Sequence, residues 1–414
     1  AKPKNVGDQK TKILGIIGAG MMGSGIAYVS ALANIDVILI DSTYEKANEG
    51  KLKVRSILEE GIKRKKTTPE QMVSVLKRIT STNDYSLLSD ADLVIEAVFE
   101  DPSLKNQVTK IAETHLNRKT IFATNTSTLP ISELAKASVN RKNFIGIHFF
   151  SPVNKMNLVE IIKGKATTDF AVAKALDYVS AIKKTPIVVN DARFFYANRC
   201  IIPYINEGVK MVGEGIEPAL IENGAKLLGM PVGPLQLIDE TSIDLANQIA
   251  IATKAALGVE YRDDASDEIL TFMVKEERLG RKVNAGFYNY NDRGQRQNLW
   301  RGSMVKWPIS EHQPNVEEIK NRLGLIQALE AVRALEEGVL PDVRQGDVGA
   351  ILGWGCIPWA GGPFGWLDLV GIKTAVKICK EFKSRYGNRF SPPQILEKMS
   401  KTNSNFYTKK GLTN

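Results

Sequence analysis

The sequence predicts an α/β domain with a doubly wound parallel sheet, followed by two repeated all-α domains. In the first half, short β-branched runs alternate with helical patterns, which is typical of a parallel sheet. After Asn190 the strand signals fade, and the helical half contains an internal repeat. Because 414 residues exceed what one hydrophobic core supports, we expect three domains, at 1–190, 191–300 and 301–414.

Seven strand-like runs in the first half are bounded by turn or capping residues. In chain order they are 12–17, 36–40, 93–97, 120–123, 144–147, 158–162 and 186–189. The last two flank a helix predicted from about 169 to 182. A basic helical hairpin is expected at about 44–78, because a break at Thr67-Thr68-Pro69 divides one long helical pattern.

The composition excludes several classes of protein. With 43% hydrophobic and 24% charged residues the chain is a soluble globular protein, and a net charge of +9 does not by itself indicate nucleic acid. The uncharged stretch 13–35 is rich in glycine and leads into a strand, so we expect a buried segment and no membrane span. Three widely spaced cysteines, Cys200, Cys356 and Cys379, predict neither disulfides nor a metal site, and favour a reducing compartment.

A glycine-rich motif, Gly18-Ala19-Gly20-Met21-Met22-Gly23, follows the first strand and opens a helix. The first glycine permits a tight turn, the second lets backbone amides approach a pyrophosphate, and the third allows close packing of helix on strand. Asp41 ends the next strand, where it would accept hydrogen bonds from ribose hydroxyls and repel a 2′-phosphate. The motif therefore predicts a Rossmann-type NAD-binding domain; FAD shares this fingerprint, and a packing turn without a ligand is the alternative.

His148 is one of only three histidines and follows a strand, at the edge where open α/β sheets bind ligands. If the two arms that carry His148 and Glu160 pair as a hairpin centred near Asn154, the two side chains share one face, at about 5 Å between Cβ atoms. Glu160 could then hold one ring nitrogen and leave the other as a general base. A purely structural histidine is the alternative.

A polar turn, Asn125-Thr126-Ser127-Thr128, ends at the same edge of the predicted sheet. Its hydroxyl and amide groups are suited to holding a substrate oxygen. Polar turns after strands are common, however, so the turn alone does not establish a site.

The internal repeat relates a segment opened by Asn198-Arg199 to one opened by Asn321-Arg322. Further pairs share the spacing: Glu207 with Glu330, Val209 with Val332, and Gly233-Pro234 before Asp239 with Gly362-Pro363 before Asp368. One copy could cover the other as a partner subunit would. We therefore expect this chain to be a monomer.

Together these motifs resemble the L-3-hydroxyacyl-CoA dehydrogenases, over about 12–290. The resemblance also rests on Glu96-Ala97-Val98-Phe99-Glu100, His148-Phe149-Phe150-Ser151-Pro152 and Gly286-Phe287-Tyr288. The second helical copy, with Gly361-Gly362-Pro363-Phe364, extends it to the multifunctional enzymes of fatty-acid β-oxidation. Nothing in the chain corresponds to their hydratase/isomerase domain, so we expect the dehydrogenase portion of such a protein.

The resemblance implies NAD-dependent oxidation of L-3-hydroxyacyl-CoA to 3-ketoacyl-CoA, with His148 as general base, Glu160 as its partner, and Ser127 and Asn198 on the reacting oxygen. It assigns NAD contacts to Met22, Asp41, Val98, Phe99, Glu100, Lys105, Ser127 and Lys282, beside the glycines of the motif. It assigns Lys63 and Ser56 of the hairpin to coenzyme A. It implies a thiolase partner and a cytoplasmic or other reducing β-oxidation compartment.

Two other functions fit part of the pattern. A dehydrogenase of a small hydroxy acid would keep the first domain and the histidine but need no coenzyme A site. A catalytically weak module that binds acyl-CoA or NAD would keep binding without turnover.

The chain departs from the family pattern in two places. Ser151 stands where the family often has Asn, and its hydroxyl could still donate a hydrogen bond to substrate. Arg193 and Phe194 stand at the Pro and Gly positions of a turn before Asn198. A backbone conformation that favours glycine would be strained by Phe, so we expect an effect on activity or acyl-chain preference.

Overall fold

The structure is a computed structural model that describes residues 2–4, 6–258 and 264–407. The chain divides into two compact units. The first comprises Ala1–Asn198 with Gly338–Gln345, and the second comprises Arg199–Glu337 with Gly346–Asn414.

The first unit is built on an eight-stranded sheet in the order β3-β2-β1-β4-β5-β6-β7-β8. The strands are β1 Ile13–Ile17, β2 Asp36–Ile40, β3 Ile79–Thr82, β4 Leu93–Glu96, β5 Ile121–Thr124, β6 Phe144–Phe149, β7 Leu158–Lys163 and β8 Thr185–Asn190. Neighbouring strands are parallel except β6 and β7. The predicted doubly wound sheet is confirmed.

Six helices connect these strands. They are α1 Met21–Leu32, α2 Tyr44–Lys63, α3 Pro69–Lys77, α4 Pro102–Glu113, α5 Ile131–Leu134 and α6 Asp169–Ala181. α2 and α3 form the expected hairpin, each capped by a threonine side chain, Thr43 and Thr68. Only Ala47, Gly50, Val54 and Leu58 of α2 are buried, so one apolar stripe packs and the rest of α2 is at least partly exposed.

The core of the first unit lies on the sheet, whose central strands are buried almost throughout. β4, β5 and β6 have no exposed residue, which is typical of parallel strands covered on both faces. The uncharged stretch 13–35 is mostly buried here, and α1 packs through small residues such as Gly23 and Gly25. No helix among the described residues has the length and hydropathy needed to cross a bilayer.

The free edge of β8 is covered within the first unit by Gly338–Gln345, which the chain supplies much later. The N–H of Asn190 donates to the carbonyl of Val339 at 2.8 Å, and the N–H of Val188 donates to the side chain of Gln345 at 2.6 Å. Covering an edge strand in this way protects it from pairing with another chain.

The second unit is mainly helical. Its helices are α7 Ala197–Gly213, α8 Pro218–Leu228, α9 Pro234–Thr241, α10 Ile243–Leu257, α11 Asp264–Lys275, α12 Gly302–Lys306, α13 Val316–Glu336, α14 Val343–Trp354, α15 Pro363–Val370, α16 Ile372–Tyr386 and α17 Gln394–Thr402; α7 and α14 begin in the first unit. Short 3-10 helices lie at Arg281–Val283, Pro358–Ala360 and Asn388–Phe390 in this unit, and at Tyr85–Asp90, Ala135–Ala137 and Arg141–Asn143 in the first unit.

The repeat seen in the sequence extends to carboxylates of the second unit, all buried except Asp368, which is half-buried. Asp239 accepts the N–H groups of Phe287 and Tyr288, and Asp368 accepts those of Phe406 and Tyr407. Glu222 accepts the hydroxyl of Tyr288 just as Asp347 accepts that of Tyr407.

The two copies also exchange ion pairs. Arg199 of the first copy pairs with Glu330 and Glu337, and Arg322 of the second pairs with Glu207 and Glu214. Arg322 is fully buried and lies over the ring of Tyr386. This reciprocal pattern is what two symmetry-related subunits would make.

Two parts of the structure contain strands that the sequence analysis did not predict. β3, which pairs with β2, was not predicted, because Ile79-Thr80-Ser81-Thr82 has a single apolar residue and lies at the edge of the sheet. In the helical half a short antiparallel pair, β9 Tyr288–Tyr290 and β10 Arg296–Leu299, lies where only loops and helices were expected.

Candidate active site

The polar ends of several strands meet at one edge of the sheet in the first unit. The Gly18 turn follows β1, Asp41 follows β2, Val98 follows β4, Ser127 follows β5, and His148 lies near the end of β6. Because these five strands are parallel, their carboxyl ends share this edge, where open α/β sheets bind ligands.

The glycine motif has the geometry that its sequence predicts. Gly18 has φ of +102°, and a Cβ atom there would lie 2.6 Å from the carbonyl oxygen of Ala97. A Cβ atom at Gly23 would lie 1.8 Å from the carbonyl oxygen of Gly18. At Gly20 a Cβ atom would meet nothing within 4 Å, so the backbone faces open space there.

The residues around this turn fit NAD. α1 begins after Gly20 with no side-chain cap, which leaves first-turn N–H groups available to a pyrophosphate. Asp41 Oδ2 accepts the N–H of Ala19 at 2.8 Å, so the carboxylate lies beside the turn. Met21 and Phe99 are apolar yet 68% and 86% exposed at this edge, as expected for side chains that a ligand covers. Met22 and Val98 are half-buried.

Lys105 is buried rather than open to a ligand. Its ammonium lies 2.9 Å from Glu96 Oε1 and 3.3 Å from Glu100 Oε2. Sequence reasoning assigned no role to Glu96, which also accepts the N–H of Val98 and the hydroxyl of Thr124. The buried lysine therefore orients two carboxylates that border the site.

Glu100 organises the loop that carries Ser127. Its Oε1 accepts the Thr126 hydroxyl at 2.7 Å and the N–H groups of Ser127 and Thr128 at 2.8 and 3.0 Å. Partial burial alone would raise the pKa of Glu100, but the Lys105 ammonium and these hydrogen bonds outweigh it and lower that pKa. Glu100 is thereby kept as a carboxylate in the loop.

His148 and Glu160 lie opposite each other on the antiparallel strands β6 and β7, in the register that the hairpin symmetry predicts. His148 Nδ1 lies 2.7 Å from Glu160 Oε2. His148 is 5% exposed and Glu160 is fully buried. The ring centroids of Phe150 and Phe195 lie 4.6 and 5.9 Å from that of the imidazole, so two aromatic side chains flank His148.

Glu160 has further partners that sequence reasoning missed. Its Oε1 accepts the N–H groups of Tyr196 and Ala197, at 3.2 and 2.9 Å, where α7 begins. These donors are backbone groups at the end of an irregular turn, so the residue types at these positions do not predict the contact.

Ser127 and Asn198 are brought together, as the sequence led us to expect. Asn198 Nδ2 donates to the carbonyl of Ser127 at 2.8 Å. Asn125, which was noted only as part of the polar turn, accepts the N–H of Phe149 at 2.8 Å and so ties the loop to the strand of His148. Ser151 is exposed, with its hydroxyl 3.8 Å from the sulfur of Met21.

Three other predicted residues make none of the contacts described above. Lys63 and Ser56 are exposed on α2. Lys282 belongs to the second unit, where its ammonium pairs with Asp244 at 2.6 Å. Within the described ranges no cluster of three or more side chains could ligate a metal ion.

A nucleotide-binding turn beside a histidine–carboxylate pair is the arrangement of an NAD-dependent oxidoreductase. The family model for the 3-hydroxyacyl-CoA dehydrogenase NAD binding domain matches residues 13–192. The model for the C-terminal domain of the same family matches two segments, 195–290 and 319–411. The chain belongs to the 3-hydroxyacyl-CoA dehydrogenase family.

A comparison with individual proteins supports the same family assignment. The chain is 36% identical, over 404 residues and 96% of its length, to the fatty acid oxidation complex subunit alpha of Shewanella baltica. It spans only 56% of that relative, so it matches about half of the longer protein.

Among solved structures, the dehydrogenase part of multifunctional enzyme 1 from Caenorhabditis elegans is 28% identical with a TM-score of 0.69, covering 95% of this chain and 90% of that one. The 3-hydroxybutyryl-CoA dehydrogenase of Escherichia coli covers 95% of this chain and 99% of its own; with a TM-score of 0.83 and 23% identity it shows the shared fold.

Proposed function

We propose that this chain oxidises L-3-hydroxyacyl-CoA to 3-ketoacyl-CoA with NAD, in fatty-acid β-oxidation. The observation that carries the proposal is the buried pair of His148 and Glu160 at the ligand-binding edge of the sheet. Membership of the 3-hydroxyacyl-CoA dehydrogenase family supports the same chemistry.

His148 acts as the general base in this proposal. A proton on Nδ1 is donated to Glu160, which leaves Nε2 free to accept the hydroxyl proton of the substrate. Ser127, in the loop after β5, and Asn198, in the first turn of α7, hold the reacting oxygen, and the Asn198 amide that donates to the Ser127 carbonyl keeps the two residues adjacent. NAD, when bound, supplies the hydride acceptor.

The cofactor and coenzyme A contacts are proposed from position. Gly18, Gly20, Met22, Gly23, Asp41, Val98, Phe99 and Glu100 border the cofactor, and Lys105 acts by holding Glu100. Lys282 remains a proposed cofactor contact. Lys63 and Ser56 on the exposed basic hairpin take the phosphates of coenzyme A, and Ser151 contacts bound ligand.

The wider setting is also proposed. The division at 1–190, 191–300 and 301–414 is supported by the two separate C-terminal-domain matches. The Shewanella relative is named as the alpha subunit of a complex, which supports a thiolase partner. The reciprocal ion pairs of the two helical copies support a monomer, since a second chain is not needed to cover either copy. Its compartment would be cytoplasmic or otherwise reducing.

The direct test follows NADH formation with L-3-hydroxybutyryl-CoA and a longer 3-hydroxyacyl-CoA, in wild type and His148→Ala. We expect turnover with NAD in the wild type and a loss on the order of a hundredfold or more in the variant. NADP and the exposed His115→Ala serve as controls. Turnover of a free hydroxy acid without coenzyme A, or binding of NADH and acyl-CoA without turnover, would instead support the two alternatives.

A further inference from the structure

The turn that leads into α7 has an unusual backbone. Phe194 and Phe195 have φ of +65° and +51°, in the left-handed region that favours glycine. Among the described residues, they are the only adjacent non-glycine pair with positive φ. Strain of this kind persists only where the surrounding structure fixes it, and it is frequent at functional sites.

The turn is anchored on both sides within the first unit. Asp191 accepts the N–H groups of Ile131 and Ser132, each at 2.7 Å. The N–H of Phe194 donates to the carbonyl of Thr128 at 3.3 Å, beside Ser127. These contacts fix the direction in which the chain leaves the turn.

The chain that leaves this turn encloses one oxygen of Glu160. The N–H groups of Tyr196 and Ala197 both donate to Oε1, while Oε2 faces His148 Nδ1. Glu160 is fully buried, so these backbone groups take the place of water on the oxygen that His148 does not use.

We propose that Phe194 and Phe195 are positioning residues, whose left-handed turn brings the Tyr196 and Ala197 N–H groups onto Glu160 and thereby fixes the tautomer of His148. This inference rests on the proposed role of His148 as base. With Oε1 held by two backbone donors, Oε2 is directed at Nδ1, the proton stays on Nδ1, and Nε2 remains the acceptor.

The test removes one backbone donor without changing any side chain. Replacing Ala197 by L-lactic acid during translation converts its peptide N–H to an ester oxygen. The matched control is the same replacement at Ala171, which is also buried and donates its N–H to Thr168 near the start of α6. Circular dichroism and thermal melting establish that both ester variants fold.

The readout is nitrogen NMR of the unliganded protein, which distinguishes the two imidazole tautomers. His115→Gln and His312→Gln variants assign the signals, since the chain has three histidines. In the wild type and the Ala171 ester we expect one tautomer, with the proton on Nδ1. In the Ala197 ester we expect both tautomers, and a kcat about tenfold lower with an unchanged KM for NAD, because one N–H donor to a charged group is lost.

An Ala197 ester that keeps a single tautomer and the wild-type kcat overturns the inference. A wild type that turns over no 3-hydroxyacyl-CoA overturns the proposed function instead. The tautomer comparison does not depend on turnover, so the two failures are distinguishable.

Discussion

At the scale of single residues, the site depends on groups whose neighbours fix their state. Lys105 is buried between two carboxylates, and Glu100 is held as a carboxylate by Lys105 and the loop that it orders. His148 is flanked by two aromatic rings, and Glu160 accepts two backbone N–H groups. The family resemblance predicts which residue types occur at the site, but the contacts determine the charge and orientation of each side chain.

Because Phe194 has a left-handed backbone, we predict that glycine is more stabilising than alanine at this position, the reverse of the order in an ordinary helix. A left-handed conformation costs about 1–2 kcal/mol for a residue with a Cβ atom, so Phe194→Gly should have a free energy of unfolding about 1 kcal/mol higher than Phe194→Ala. Urea denaturation of both variants measures the difference.

The same two substitutions at Phe170 are the control. Phe170 lies in the first turn of α6, where the backbone is an ordinary helix, and is 36% exposed. There the alanine variant should be the more stable by up to about 1 kcal/mol, as in an ordinary helix. If alanine were also preferred at Phe194, the turn would not be strained.

At the scale of elements, strands and helices with clear periodicity were predictable and marginal ones were not. The prediction for β2 matched the structure, and those for β1, β4 and β5 were within a residue at each end. β3 was missed because pairing with β2, rather than its own four residues, makes it a strand. β9 and β10 are likewise defined by their pairing.

The helical hairpin carries a prediction of its own. If Lys63 on α2 contacts a phosphate of coenzyme A, Lys63→Ala should raise KM for 3-hydroxyacyl-CoA about threefold, the size of one exposed charge contact. KM for NAD should not change. Lys110→Ala, an exposed lysine at the end of α4, is the control. Equal effects of both variants would indicate a general charge effect rather than a contact at Lys63.

At the scale of the whole molecule, each of the two duplicated helical segments contains a buried aspartate, Asp239 in the first and Asp347 in the second. Burial raises the pKa of both Asp239 and Asp347 from 3.8 to about 6, against the hydrogen bonds that lower it. The folded state therefore binds more protons than the unfolded chain between these values. Their contribution to stability is complete below about 3.8 and is lost as pH rises through about 6.

Asp239→Asn and Asp347→Asn test this sign. Between pH 4 and 7 the free energy of unfolding of the wild type, relative to each variant, should fall by on the order of 2 kcal/mol. Only the slope with pH is diagnostic, since the amide also changes the hydrogen bonds. Asp84→Asn is the control: bonds from Ser86 lower the pKa of Asp84 from 3.8, so its contribution to stability should not fall as the pH rises over this range. A flat difference for Asp239 and Asp347 would contradict the raised pKa values.

The sequence by itself determined the class of fold, the nucleotide-binding turn, the repeat and the pairing of His148 with Glu160. Each depends on local spacing: glycines at a strand end, a period of two in a hairpin, and equal intervals in two segments. The strained turn at Phe194 was foreseen only through its departure from the family pattern.

Only the tertiary structure decided which groups complete the site. The backbone donors of Tyr196 and Ala197 reach Glu160 across 36 and 37 residues of chain. Lys105 lies within ten residues of Glu96 and Glu100, but its burial between them is decided by how α4 packs on the sheet. The same holds for Gly338–Gln345 on the edge of β8. Such contacts depend on how elements pack. Because nearly every residue has the same backbone N–H and C=O groups, the sequence does not show which of them will make these contacts.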